Sequence, residues 1–505
     1  MTTQHDARAS LRFSAYSLLI TLSVGAMLGR ILAVDSVDLQ ALERVRLQKV
    51  EEKLQREEQA LKDKGVTGQE LDETLAPRRE ELYRWAQLRR PFLSANDRSR
   101  WCTLRALVED DMRVEGHAYA IDKVIQEPGW DTIDMVKHDG HLYSSKPPLF
   151  PTMMAGPYWL IHRLTGWTLG DHPYVIGRIM LITFNVLPMI VFFVLLGALV
   201  ERLGTTDWSR LFVVGSAAFG TFLTTFAVTI NNHLIAAVSA MIALYAVSRI
   251  WFDDRRELRY FAVAGLFAAF AAANELPALS FFGLLGLGLL WKAPWRTLGA
   301  YAPAAAVVVA AFFGTNWLAH GDLKPAYLHR HEGDNWYDYT YEVNGRTVDS
   351  YWRSPVGVDR GEQDRGTYAL HILVGHHGIF SLTPIWLLSA LGTLMWLVAP
   401  RDDRMRQFAV MVAVLTAVCL AFYLKAEPHY RNYGGLTSGL RWMFWFAPLW
   451  LVVMLPATDW LARRRVTQAI GLLLLAASVL SASYPTWNPW VHPWLMDYLV
   501  YLGVV

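Results

Sequence analysis

The chain has 505 residues, with 47 Lys and Arg against 45 Asp and Glu, so its formal net charge is +2. Only 18% of residues are charged, against about 25% in soluble domains, while 53% are hydrophobic and mean hydropathy is +0.21. These values argue against a disordered chain or a soluble multidomain protein, and the small charge excess argues against a nucleic-acid partner. The fold class they imply is an all-α integral membrane protein.

A helix needs about 20 mostly apolar residues to cross roughly 30 Å of hydrocarbon. Eleven segments are read as spans: 13–33, 174–200, 209–229, 232–252, 259–274, 276–292, 297–318, 379–399, 406–425, 440–457 and 466–484. The fifth and sixth are short and joined through Asn274, Glu275 and Pro277, so they form two spans or one broken re-entrant element. The first span follows Arg8 and Arg12 and continues past Arg30 to Val34 without a small-x-small cleavage pattern, which predicts an uncleaved anchor over 1–33. With the N-terminus inside, Arg202 and Arg210, Arg255, Arg256 and Arg259, Lys292 and Arg296, Arg401, Arg404 and Arg406, and Arg463 to Arg465 all fall in inner loops. The turns near Asn231 and Glu275 carry no basic residue, as the inner bias of positive charge requires. The chain then divides into an outer loop over 34–173, a bundle over 174–319, a second outer loop over 320–378, a bundle over 379–484 and an interfacial tail over 485–505 with Trp487, Trp490 and Trp494.

Within the first outer loop, residues 38–90 read as a coiled-coil hairpin, two charged helices broken by Gly65-Val66-Thr67-Gly68. Leu47, Val50, Leu54 and Leu61 on the first and Leu71, Leu75, Leu82 and Trp85 on the second occupy heptad-like positions. The hairpin is a solvated arm or a docking site for a protein partner, with Pro77 near the start of the second helix or kinking it. Cys102 and Cys419 offer neither a disulfide framework nor metal-type spacing.

The segment 94–160 follows. It contains Ser94-Ala95-Asn96-Asp97-Arg98, then an amphipathic run through Trp101, Leu104 and Leu107 or Val108 that is expected to lie along the outer membrane surface. Glu109, Asp110 and Asp111 read as a solvated helix end, with a catalytic carboxylate as their alternative role. Further on comes Asp139-Gly140-His141-Leu142-Tyr143-Ser144-Ser145-Lys146-Pro147-Pro148. An acidic residue before a juxtamembrane helix, with a Gly-x-x-Tyr-x-x-Lys-Pro-Pro element in the same loop, resembles the polyprenyl-phosphate-sugar-dependent glycosyltransferases of the GT-C superfamily. Protein O-mannosyltransferases and lipid A aminoarabinose transferases belong to that group. The resemblance covers about residues 90–250; it departs in having Asn96-Asp97 for an acidic pair, a longer interval from acid to Lys, and the inserted hairpin.

Chemistry singles out the same residues. Glycosyl transfer from a lipid phosphate needs a base for the acceptor hydroxyl and positive charge for the leaving phosphate. Asp97 is the candidate catalytic base; its alternative role is to cap a helix beginning at Arg98. Lys146 is a compact charge suited to lipid phosphate, or a lysine snorkelling from the adjacent apolar segment. Arg431 and Arg441 flank a Gly-rich stretch and depart from the inner bias of basic residues, which makes them donor-phosphate candidates. Tyr143, Asn231, Asn232, His233, Glu275, His376 and His377 are polar positions expected to line a cavity, with tight-turn capping the alternative for the Asn residues. The second outer loop is rich in His, Tyr and Trp, yet its spacings match no metal motif, so a divalent metal is unsupported and no cofactor is implied.

These readings predict a membrane glycosyltransferase that moves a sugar from a polyprenyl-phosphate donor to an unidentified acceptor. The active face is the outer side of a bacterial cytoplasmic membrane, and membrane lipids surround the bundle. A transporter or flippase of a lipid-linked glycan is the competing function; it calls for charges at the bilayer midplane, whereas the polar groups here gather at outer helix ends.

Overall fold

The computed structural model describes residues 2–38, 40–331, 333–343 and 345–504, with side chains described except at 2–8 and 40–44. Arg8, expected among the inner basic residues, falls outside the described side chains. The chain is mostly helical. Among the described residues, seven helices are long and apolar enough to cross a membrane: Ala9–Leu32 of α1 (Thr2–Leu32), Pro173–Leu203, Asp207–Val228, Asn232–Trp251, Pro294–His320, Asp403–Lys425 and Arg465–Ser483. Arg441–Val453 and Leu455–Leu461 make an eighth if this pair, bent by 49°, counts as one span.

The remaining three of the eleven expected spans correspond to shorter apolar helices, Leu258–Asn274, Leu276–Lys292 and Trp386–Val398. The first two are cut short where Glu275 adopts extended backbone and Pro277 starts a new turn. Large apolar side chains such as Leu187, Val194, Trp291, Val307 and Leu473 are exposed around the bundle, as expected of helices that face hydrocarbon.

The helix ends sort onto two sides. At one end, Arg12 donates to Glu201 at 2.8 Å and Asp207 at 2.9 Å, and Arg404 and Lys292 pair with Asp254 at 2.8 and 3.1 Å. Arg249 pairs with Asp253 at 2.7 Å, and the Thr205 and Thr206 amides donate to Asp459. Several basic side chains at this end are thus paired with carboxylates from neighbouring segments. The opposite end carries both long loops.

The first loop begins with α2 (Gln40–Asp63) and α3 (Gln69–Ala86), an antiparallel pair turned by Gly65 and Gly68, both at positive φ. Val50, Leu54, Leu82 and Ala86 form its small core. Trp85, placed in the seam by its heptad position, lies outside that core and is 47% exposed. Pro77 sits inside α3.

Two expectations for this loop are corrected. The helix α4 (Ala95–Val108) is almost wholly buried rather than lying along a surface. Its arginines make this possible because each finds oxygen partners: Arg98 the carbonyls of Asp131 and Pro91, Arg105 the carboxylates of Glu109 and Glu127. Glu109 is likewise no solvated end. It is buried and also accepts from the Leu169 amide and the Tyr158 hydroxyl, tying α4 to α5 (Leu149–Thr165).

The loops also contain strands, which the all-α expectation omitted. β1 (Met135–His138) pairs antiparallel with β2 (His141–Ser144), β3 (Arg330–His331) with β4 (Asp334–Asn335), and β5 (Thr340–Val343) with β6 (Arg346–Asp349). In the first hairpin Asp139 and Gly140 have φ of 48° and 82°, the two positive values of a type I′ turn, for which Asp-Gly is a favoured pair.

Candidate functional site

The α4 helix starts at Ala95, and Ser94 caps it by accepting from the Asp97 amide at 3.0 Å. Asp97 is therefore in the first turn and not the cap, which frees its side chain. That carboxylate is 1% exposed. Its Oδ1 accepts from Trp101 Nε1 at 2.8 Å and from the Ile230 amide at 3.0 Å, so α4 is pinned over the turn before the Asn232–Trp251 helix. Burial pushes its pKa up to about 7, against the opposing pull of these two donors and of Arg100 and Arg98.

Arg100, one turn along α4, donates to Asn96 Oδ1 at 2.8 Å and to Asn232 Oδ1 at 2.7 Å. Asn232 passes the connection on, its Nδ2 donating to Glu275 Oε1 at 2.7 Å. Glu275 also contacts His233 Nδ1, and His233 Nε2 lies 2.9 Å from Arg441 Nη1. A guanidinium can only donate, so Nε2 accepts and the His233 proton resides on Nδ1, facing the Glu275 carboxylate. The Arg441 guanidinium also donates to the Gly434 carbonyl at 2.6 Å and lies 4.6 Å from the Trp490 ring centroid. Asn231 is occupied by capping: its Oδ1 accepts from the Leu234 amide at 2.9 Å and its Nδ2 donates to the Phe226 and Thr229 carbonyls.

Lys146 enters from the other side. The β1–β2 register sets Met135 opposite Ser144, which brings Asp134 beside Lys146; Nζ donates to Asp134 Oδ1 at 2.6 Å. Ser99 of α4 fastens this hairpin, contacting Ser144 Oγ at 2.6 Å and donating to the Asp134 carbonyl at 2.6 Å. Burial alone would raise the Asp134 carboxyl, but the Lys146 ammonium, with Arg441 and Arg100, holds it below the usual range. Burial and the same two guanidiniums lower the Lys146 ammonium, with Asp134 opposing them. Asp359 of the second loop feels Asp134, Arg441 and Lys146 and accepts from the Tyr351 hydroxyl at 2.9 Å.

Asp97, Arg100, Asp134, Lys146, Asn232, His233, Glu275 and Arg441 thus form one buried polar cluster at the loop-bearing end of the bundle. Four expected residues have other neighbours. Arg431 donates to the carbonyls of Ala426, Glu362 and Gln363 and closes the second loop. His377 stacks on Tyr433 at 4.0 Å and contacts the Thr437 carbonyl, and His376 packs against His371; both brace the loop that delivers Arg441. Tyr143 contacts His117 at 2.9 Å and packs edge-on against His320, in a separate aromatic layer.

Arg100, Asp134 and Asp359 were missed in the sequence. Asp134 had a usable signal: the Asp-Gly turn implies a hairpin, and counting back from it sets Asp134 level with Ser145. Arg100 and Asp359 had none, because Asn232 lies 132 residues from Arg100 and the cluster charges that Asp359 feels lie more than 80 residues from it.

Among the described residues, no group of three or more His, Cys, Asp or Glu side chains is placed to hold a metal ion. No family model and no curated protein matches the chain. Among solved structures it is similar to the Archaeoglobus fulgidus oligosaccharyltransferase in complex with Zn and sulfate, at 12% identity and a TM-score of 0.38. It is similar also to the apo form, at 11% identity and a TM-score of 0.37. These alignments cover 81% and 79% of this chain, which spans about half the length of those proteins, 55% and 56%.

Proposed function

We propose that the chain is a membrane glycosyltransferase using a polyprenyl-phosphate-linked sugar, of the GT-C kind that its sequence resembles. The observation that carries this reading is a buried polar cluster beside apolar helices in which the Asp97 carboxylate sits one helical turn from Arg100, and Lys146 and Arg441 supply two further cations. The Asp97 carboxylate takes the proton of an acceptor hydroxyl, whose oxygen bonds to the anomeric carbon. The bond from that carbon to the phosphate oxygen breaks, and the phosphate leaves with the electron pair. Arg100, Lys146 and Arg441 supply the positive charge that this departure needs in a low-dielectric site. His233 and Glu275 orient Arg441, and Trp101 orients Asp97. The loop-bearing end faces outward in a bacterial cytoplasmic membrane, away from nucleotide pools, which suits a donor already activated by its lipid.

Purified full-length protein, incubated with radiolabelled polyprenyl-phosphate sugars and a panel of hydroxyl acceptors, should release polyprenyl phosphate and label an acceptor. Absence of transfer across the panel, with cellular function retained by Asp97→Ala and Lys146→Ala variants, would overturn the reading.

A further inference from the structure

The helical arm and the second loop meet in a cleft of about 310 Å³ whose lining includes Lys49, Lys53, Arg78, Glu81, Trp85 and Arg346. That volume is at the small end of the roughly 300–1,000 Å³ usual for ligand pockets. Four of these six side chains are cations and one is a carboxylate. Glu81 is already committed, since Arg78 donates to it at 2.6 Å and Arg346 pairs with it as well. Lys49 and Lys53 lie one turn apart on α2, both exposed, and neither has an ion pair among the described residues. Beside them Trp85 has a half-exposed ring outside the core of the arm, with the Arg46 guanidinium 5.6 Å from its centroid adding a further cation next to the cleft.

We propose that this cleft binds an anionic glycan, a saccharide chain bearing phosphate or carboxylate groups. Lysine ammoniums act as mobile point charges for such anions, and a flat aromatic ring with one end apolar suits the hydrogen-bearing face of a sugar. A bilayer surface fits the cleft less well, because the arm's leucines Leu71, Leu75 and Leu82 are buried and leave little to insert. The cleft is also anchored toward the ion cluster. Gln126 donates to the Glu342 carbonyl at 2.8 Å, and Lys137 of β1 to the Thr340 carbonyl at 2.9 Å, so the strand pair that supplies Arg346 is tied to the hairpin that leads to Lys146. Glycan binding here does not depend on the proposed transfer reaction.

The test uses the full chain in detergent, titrated with oligogalacturonate, with poly(glycerol phosphate) and with neutral maltodextrin of equal length. At least one polyanion should bind, with affinity that falls as salt rises, and maltodextrin should not. Lys49→Glu with Lys53→Glu should weaken binding about 10-fold or more, and Trp85→Ala about 10-fold. Lys49→Arg with Lys53→Arg should keep binding, which separates charge from fold. Binding of maltodextrin as tight as that of the polyanions, failure of both polyanions, or unchanged affinity in the Glu double variant would overturn the proposal. So would phosphatidylglycerol vesicles that displace the polyanions and lose binding with the same substitutions, since the surface would then be lipid-directed.

Discussion

The Asp97 carboxylate combines burial with two donors on a single oxygen, and this sets its behaviour with pH. As the base of the proposed reaction it works ionised, so transfer should rise about tenfold per pH unit below its pKa of about 7 and level off above it. A pH profile of initial rates checks this, and Asp97→Asn should cut the rate about 10²- to 10⁴-fold at every pH. Stability runs the other way. The folded pKa is raised from the ordinary 3.8, so proton binding stabilises the fold fully below about pH 4, and that contribution is lost as pH rises through 7. The Asn side chain still accepts from Trp101 and Ile230. Thermal unfolding should therefore show Asp97→Asn more stable than wild type at pH 8, with the gap closing near pH 4. At Lys146 the ion pair with Asp134 decides the outcome. Lys146→Ala strands a buried carboxylate and should cost about 3 kcal/mol in denaturant unfolding. Adding Asp134→Asn should restore most of that stability without restoring transfer.

The β1–β2 hairpin is the element that carries Lys146 into the cluster, and its turn depends on Gly140 at φ 82°. Gly140→Ala should cost about 1–2 kcal/mol, the left-handed penalty for a residue with a Cβ. Because register sets Asp134 beside Lys146, it should also reduce transfer by more than the stability loss explains at temperatures well below unfolding. Comparing single-turnover rates with the melting curve checks this. Sequence reading located the elements unevenly. Apolar runs gave the helices, and Gly65 and Gly68 gave the arm. The amphipathic run of α4 predicts a surface helix, whereas in the fold its polar face is buried too, because Asp131, Glu109 and Glu127 satisfy two of its three arginines and Asn232 the third. Asp97 and Lys146 were legible from chemistry and resemblance, whereas Asp134 lay hidden in a hairpin that its own Asp-Gly turn announces.

For the whole molecule, the two ends should lie on opposite sides of a membrane. Cys102 and Cys419 are both buried, so single cysteines can report sidedness against a quiet background. In intact cells a membrane-impermeant maleimide should label Lys62→Cys in the arm, and should label Arg463→Cys only after lysis. The reverse pattern would invert the topology. The ion pairs at the end opposite the long loops, Arg12 with Glu201 and Arg404 with Asp254, join segments far apart in sequence, and a half-exposed pair such as Arg404 with Asp254 contributes little on its own. They register the bundle more than they stabilise it.

The sequence by itself determined that the chain is apolar and helical, which ends of its helices are basic, and which few polar residues depart from that pattern. Those properties follow from local composition, because hydrocarbon solvent selects residues by type. Only the tertiary structure decided that Lys146 and Arg441 gather around Arg100, one turn from Asp97, while Arg431 serves a loop, that Glu275 reaches Arg441 through His233, and that Glu109 is a brace. Buried charges survive only where oppositely charged or hydrogen-bonding partners surround them, and those partners come from segments that are remote in the chain and adjacent only in the fold.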